Sequence, residues 1–434
     1  VQEKKMQAEI VVVGTGAGGG TVARELALRG KDVVMLEKGS WNRWLGNLLS
    51  MLRILDRMAV FSRSREGVII DRAITVGGST VMYAGNSFDP PGWLKEEYGI
   101  DITGLAAETK SELKVAPLPE DWYGPGTVRL RQVAAEMGIN LLPQEKFVDP
   151  AKCDATCDHC MMGCERDAKW TTRSYVNEAL ERGARLVTRA DVREVIFAGN
   201  RREAVGVKAA TPEGELLVEA GKVVLSAGGM GTPVILNRSG IWEAGDNFFM
   251  DPMAVVLGIA RKGEGTWGET TFTHASTDFL ESDGFIIGIT GGMNALLSML
   301  TRPTTAWNAY KFLRYPGAMG MFAKIADSSS GFINLDGSMS KPMTREDQLM
   351  MSKGAAICEK IMIRAGADPR SISMVKELGG HPGGTAAIGK VVDSDLRTEV
   401  ENLYVCDGSV LPRSPGRPPV LTILSLAKRL AASL

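Results

Sequence analysis

The stretch "EIVVVGTGAGGGTVARELALRGKDVVMLE" (residues 9–37) changes texture three times. "EIVVV" (9–13) is a short, apolar, β-branched run of the kind that forms a buried strand. "GTGAGGG" breaks it, "TVARELALRG" follows with helical spacing and ends on Gly30, and "DVVML" (32–36) is a second apolar strand. This is a βαβ unit. Gly14, Gly16 and Gly19 form GxGxxG at the turn from strand to helix, and Glu37 ends the second strand. The first glycine permits the tight turn, the second lets backbone approach a pyrophosphate, and the third lets helix and strand pack closely. The helix start would offer unpaired N–H groups and a positive dipole end to the phosphates. Glu37 would accept hydrogen bonds from ribose hydroxyls. The pattern indicates a dinucleotide site and does not by itself separate FAD from NAD.

Working outward, 434 residues exceed what one core usually holds, so two domains, or one with an embedded second, are expected. A formal net charge of −1 and the lack of long basic runs argue against nucleic acid as a partner. No apolar run approaches a membrane span, and neither end reads as a signal peptide. Residue 1 is Val, which leaves a removed leader open; the expectation is a cytoplasmic enzyme. "KWTTRSYVNEALERGA" suits a helix, and "RLVTRADVREVIFAG", "AVGVKAATPEG" and "ELLVEAGKVVLSAGG" suit strands. Near the end, "NLYVCDGS" reads as a strand and "PPVLTILSLAKRLAASL" as a helix. Pro418 and Pro419 fit its first turn, with Val420, Leu421, Ile423, Leu424, Ala427 and Leu430 on the buried face.

Four further blocks follow the fingerprint in order: "AITVGGSTVMYAGN" (73–86), "VVLSAGGMGTPVILNRSGI" (223–241), "GGHPGGTAAIG" (379–389) and "NLYVCDGSVLPRSPGRPPVLTILSLAKRLA" (402–431). Together they resemble the glucose–methanol–choline (GMC) oxidoreductases, flavoproteins that oxidise alcohols with FAD. The resemblance implies an α/β fold: a discontinuous Rossmann-like FAD domain from 1–90, 151–245 and 378–434. An inserted α+β substrate domain on an antiparallel sheet, from 91–150 and 246–377, would complete it. Gly77, Gly78, Ser79 and Asn86 would lie on a loop passing the flavin and its diphosphate. Val192 would reach the adenine side through its backbone, and Ala227, Gly228, Asp407 and Gly408 would also border the cofactor. Pro419 would start a helix aimed at the flavin pyrimidine, stabilising negative charge on the reduced ring. With no His or Cys near the 77–86 loop in sequence, the FAD is expected to be non-covalent.

Oxidising an alcohol needs a base for the hydroxyl proton while the C–H hydride moves to flavin N5. Histidine suits this, since its ordinary pKa of ~6.5 leaves it largely neutral near pH 7. Of His159, His274 and His381, only His381 sits in a glycine-rich loop, "GGHPGGT", where the resemblance places the family's catalytic histidine. The family's usual second His or Asn falls on Pro418, whose side chain can neither donate nor accept. Arg417, Asn294 and Asp251 are candidates for that missing partner, with no ranking among them. The implied activity is dehydrogenation of a small-molecule alcohol, or reduction of the ketone, by hydride transfer. A lyase using FAD as a scaffold and an electron-relay subunit are the alternatives. The Met-rich stretch 285–322 reads as core in preference to a substrate-pocket lining.

Four of six cysteines fall in "CDATCDHCMMGC" (153–164). Cys153, Cys157, Cys160 and Cys164 could hold an iron–sulfur cluster, structural zinc, disulfides or nothing. Resemblance to sugar-oxidising relatives that pass electrons to a cytochrome favours a [4Fe–4S] cluster, with His159 beside it or on the surface. That cluster would make the chain a dehydrogenase with a non-oxygen acceptor, an electron-carrier protein or subunit.

Overall fold

In the computed structural model, which describes residues 4–56, 62–199, 201–299, 314 and 316–434, the βαβ unit seeds a seven-stranded sheet. Strand Lys4–Val13 lies parallel between Val33–Glu37 and Gly214–Leu225. It starts earlier than its apolar run because Lys4–Ala8 pairs with Leu216–Ala220, and that half alternates exposed and half-buried residues. Arg185–Thr188 extends one side of this sheet, and Leu403–Val405 lies parallel beside Gly214–Leu225 on the other. Ala204–Thr211 and Asp191–Phe197 continue it antiparallel.

Val33–Glu37 is buried along its whole length, which is why a parallel strand covered on both faces reads as an unbroken apolar run. Helices Ala17–Leu28, Arg173–Glu181 and Val420–Ser433 pack in series, the first against each of the others. The two chain ends thus share one core, which joins Ile10–Val13 to Leu403, Val405, Leu426 and Leu430. Each fully buried Leu or Val there contributes about 1.5–3 kcal/mol.

The last helix differs from expectation in two ways. It starts at Val420, with Pro419 as the residue before it. It is also buried on more than one face, Thr422, Ser425 and Lys428 included, because helix Thr103–Glu112 overlies it. Lys428 emerges there between Glu108 (3.0 Å) and Glu112 (2.6 Å).

The second sheet has eight strands, in the order Ser62–Arg63, Ile69–Ile70, Ser373–Gly379, Met253–Ile259, Ala318–Ile325, Phe285–Thr290, His274–Ser276 and Leu142–Pro143. All its pairs are antiparallel except Ile69–Ile70 with Ser373–Gly379. Alternation decides the use of each face. Met319, Met321, Ala323 and Ile325 join a core with helix Arg345–Ala365, while Phe322 and Lys324 face a cavity on the other side. The described methionines at 319 and 321 are therefore core; residues 300–313 of the Met-rich stretch lie outside the described residues.

Helix Arg345–Ala365 begins with a capping box: Thr344 Oγ1 accepts from Asp347 N–H (3.1 Å), and Asp347 Oδ2 accepts from Thr344 N–H (2.9 Å). Thr344→Ala should cost about 1 kcal/mol of stability, read as a lower denaturant midpoint with an unchanged slope.

Candidate active site

Both sheets present residues to one cavity of about 610 Å³. On the first sheet it opens over the GxGxxG turn. Gly14 has φ +97°, and a Cβ there would lie 2.2 Å from the Ser226 carbonyl oxygen. A Cβ on Gly19 would lie 2.0 Å from the Gly14 oxygen, whereas one on Gly16 meets no atom within 4 Å among the described residues. Gly14 and Gly19 are thus demanded by the fold, while Gly16 keeps a space open. No side chain among the described residues caps helix Ala17–Leu28, so its first N–H groups stay available to a phosphate.

Thr15, an unspecified position of the motif, ties this turn together. Its hydroxyl donates to Glu37 Oε2 (2.7 Å) and accepts from Gly77 N–H (3.1 Å). Glu37 also accepts from Thr15 N–H (3.0 Å) and Gly39 N–H (2.8 Å). Burial pushes its pKa up, against the pull of these donors. The Gly77–Gly78 turn is left-handed, and a Cβ on Gly78 would lie 2.8 Å from Gly16 Cα, so the two glycine loops touch. This double-loop cradle with an uncapped helix start fits the diphosphate of the FAD implied by the sequence.

The structure brings Gly14, Gly16, Glu37, Gly78, Ser79, Asn86, Val192, Ala227, Gly228, Asp407, Gly408, Pro419 and His381 to the cavity wall. Gly19 and Gly77 stand behind that wall, in the packing just described. Asn86 is less free than expected: its amide nitrogen donates to the Phe272 carbonyl (2.8 Å) and its oxygen accepts from Lys146 Nζ (3.2 Å). Asp407 accepts from Gly228 N–H (2.8 Å), Thr232 Oγ1 (2.6 Å) and Ser409 N–H (2.7 Å), fixing two cavity turns to each other.

His381 enters the cavity from the loop after strand Ser373–Gly379, its side chain 23% exposed. Its Nδ1 lies 3.4 Å from Asp251 Oδ2. Burial first, and then the Lys324 charge, push its pKa below the usual histidine value, with Asp251 pulling the other way. Lys324 donates to the Asp251 backbone carbonyl and lies 3.8 Å from its Oδ2. Asn294 lines the cavity, and Arg417, half-buried, feels the charges of Glu281, Asp89 and Asp251. Sequence reasoning missed Lys324 and Thr15; a lone lysine in the apolar run "GAMGMFAKI" was the available signal for the first. Of the other histidines, His274 also borders the cavity and His159 does not. His274 is buried against the Tyr123 ring (4.5 Å) and pushed down to about 4, while His159 is exposed beside Asp158 (3.2 Å). Beyond His381 the wall is mainly apolar, from Val255, Phe272, Ile286 and Phe322.

The cysteine run abuts this cavity through Met161 and Met162. All four thiols are free, and among the described residues no three His, Cys, Asp or Glu side chains are gathered to hold a metal. Cys153 packs with Leu118, Tyr123 and Val148, while Cys160 is buried on the 3-10 turn Cys160–Met162. The expected [4Fe–4S] cluster therefore finds no support among the described residues. Burial and the neighbouring thiols push Cys153 up to about 11. Two lysines the sequence reading passed over, Lys146 and Lys169, are buried nearby and pushed down to about 8 by burial. Lys169 Nζ donates to the carbonyls of Val81 (3.0 Å), Tyr83 (2.6 Å) and Cys160 (2.6 Å), pinning the run to the back of the 77–86 loop.

Among known proteins, a GMC-type oxidoreductase of Mycobacterium tuberculosis strain H37Rv, itself uncharacterised, is 29% identical over 98% of this chain and 75% of its own length. Long-chain-alcohol oxidase FAO4A of Arabidopsis thaliana is 25% identical over 98% of this chain and 68% of its own. Of solved structures, formate oxidase of Aspergillus oryzae RIB40 superposes with a TM-score of 0.75 at 16% identity, covering 99% of this chain and 98% of that one. Pyridoxine 4-oxidase from Mesorbium loti does so with 0.74 at 16% identity, covering 98% and 99%. Family profiles described as GMC oxidoreductase match residues 7–253 and 331–427, most of the chain, and with the cradle and cavity described above they make this protein a member of the GMC oxidoreductase family.

Proposed function

We propose that the chain is an FAD-dependent oxidoreductase acting on the CH–OH group of an alcohol with an apolar body, or on the ketone in reverse. His381 takes the hydroxyl proton. The observation that carries this reading is His381 standing in the same cavity as the dinucleotide cradle, with burial and Lys324 favouring its neutral form. FAD, when bound, supplies the hydride acceptor at N5. On this reading 1–90, 151–245 and 378–434 hold FAD around the first sheet, although Ser62–Arg63 and Ile69–Ile70 pair into the second, and 91–150 with 246–377 holds substrate. Val255, Phe272, Ile286 and Phe322 would exclude water from the alkyl portion and orient the carbinol towards His381. The Arabidopsis relative, a long-chain-alcohol oxidase by name, supports an apolar substrate class.

The expected non-oxygen acceptor rested on a four-cysteine cluster, for which no three metal-ligating side chains are gathered among the described residues. The relay alternative loses the same support. Anaerobic mixing with primary alcohols of increasing chain length tests the reading. Bleaching of the flavin that strengthens with chain length is expected; bound flavin that no alcohol bleaches would overturn it and leave the redox-neutral lyase. Reduced flavin that persists on admitting air would support a separate electron-carrier protein, and rapid reoxidation would support oxygen.

The pH dependence has a definite sign. The active form is neutral His381, and a pKa below the ordinary ~6.5 keeps it neutral to lower pH. The reduction rate should therefore rise with pH with its midpoint below that value, measured by stopped-flow bleaching at saturating alcohol.

A further inference from the structure

We infer that Asp251 is the positioning residue that sets His381 for proton transfer, doing the work of the partner lost at Pro418. The inference rests on the alcohol-oxidising reading above.

Asp251 is fully buried and adopts a left-handed backbone, φ +50°, directly before Pro252. Residues before proline favour extended backbone, so its surroundings must hold this conformation. They do so from three sides. Its N–H donates to Asp327 Oδ1 (2.9 Å), and Lys324 Nζ donates to its carbonyl. Its Oδ1 accepts from Ser414 Oγ and from Gly416 N–H (3.1 Å), in the turn leading to Pro418 and the last helix. The carboxylate is thereby fixed, and its Oδ2 lies 3.4 Å from His381 Nδ1.

Neither of those two atoms has a hydrogen-bond partner among the described residues, and both are shut off from solvent. A buried ring nitrogen and a buried carboxylate oxygen at 3.4 Å, the oxygen otherwise met only by the Lys324 charge at 3.8 Å, are complementary once Nδ1 carries a hydrogen. That assignment of the hydrogen follows from the partner. It leaves the Nε2 lone pair for the substrate hydroxyl. The O–H bond breaks, an Nε2–H bond forms, and the hydride leaves carbon for the flavin. The imidazolium so formed is offset by Asp251. The other charges facing the pair are Lys324, Asp327 with its partner Lys341 (2.9 Å), and Arg417 beyond Asp251.

Asp251→Asn in the flavin-loaded enzyme separates positioning from packing. Ser414 and Gly416 hold an oxygen at the Oδ1 position, so the new NH2 faces His381 Nδ1. The proton is then forced onto Nε2, the wrong tautomer for a base. Flavin reduction should slow about 10²-fold with unchanged flavin content and alcohol Kd. The acid limb of its pH profile should move lower, because the group favouring the imidazolium is gone while Lys324 remains. In a His381→Gln background the same change should slow reduction no further. A wild-type rate and pH profile in Asp251→Asn, or equal slowing in the His381→Gln background, overturns the inference. Should Asp251→Asn not fold, Ser414→Ala should slow reduction about tenfold at unchanged Kd, and an unchanged rate overturns it likewise. If His381→Gln alone leaves bleaching intact, the proposed function fails; if His381→Gln slows it and Asp251→Asn does not, only this inference fails.

Discussion

Replacing His381 by glutamine should slow anaerobic bleaching of the flavin by an alcohol about 10²–10⁴-fold, the usual worth of a positioned general base. Glutamine keeps the size and polarity of the side chain but cannot take a proton near neutral pH. His381 lies in the loop after strand Ser373–Gly379; it lines the cavity but makes no part of the GxGxxG cradle. Flavin content should therefore be unchanged, and so should the alcohol Kd, since the alkyl portion rests on Val255, Ile286 and Phe322. The loss should fall on the reduction rate at saturating alcohol. A variant that bleaches near the wild-type rate would remove His381 from the chemistry and with it the proposed reaction.

The parts of the molecule that could be read from sequence are those whose signal is local. The βαβ seed needs only an apolar strand, three spaced glycines and an acidic residue, all within one short segment. The parallel strands were legible because burial on both faces leaves a continuous apolar run, as in Val33–Glu37. What was hidden is non-local. Lys4–Ala8 is a strand only because Leu216–Ala220 lies beside it, and its own alternating polarity gives little warning. Asp251, Lys324 and Ser414 are far apart in sequence and meet beneath His381, so composition could place Asp251 only as one unranked candidate. The four cysteines fail in the opposite direction. Their spacing is dense enough to suggest a cluster, but it does not encode packing such as that of Cys153 on Leu118 and Val148. A motif is reliable to the extent that its backbone determines where its side chains point. Glycine loops meet that condition, because their function lies in the backbone itself.

That property makes Gly16→Val the sharpest test of the cradle. Gly14 and Gly19 cannot serve, because a Cβ at either would strike backbone at 2.2 and 2.0 Å and damage the fold whether or not a cofactor binds there. Gly16 differs: an added Cβ meets no atom within 4 Å among the described residues, and the apo-protein should melt close to wild type. The valine would instead project into the space kept for the diphosphate, between the uncapped start of helix Ala17–Leu28 and Gly78. Losing about two charge-assisted hydrogen bonds there, at ~1.5–3 kcal/mol each, should weaken FAD binding about 10²–10⁴-fold. Thermal shift of apo-protein with and without added FAD reads both halves at once. Wild type should gain stability with FAD concentration as mass action requires, and Gly16→Val should not. If the variant binds FAD as tightly as wild type, the diphosphate does not lie over Gly16, and the cradle has been placed in the wrong half of the cavity.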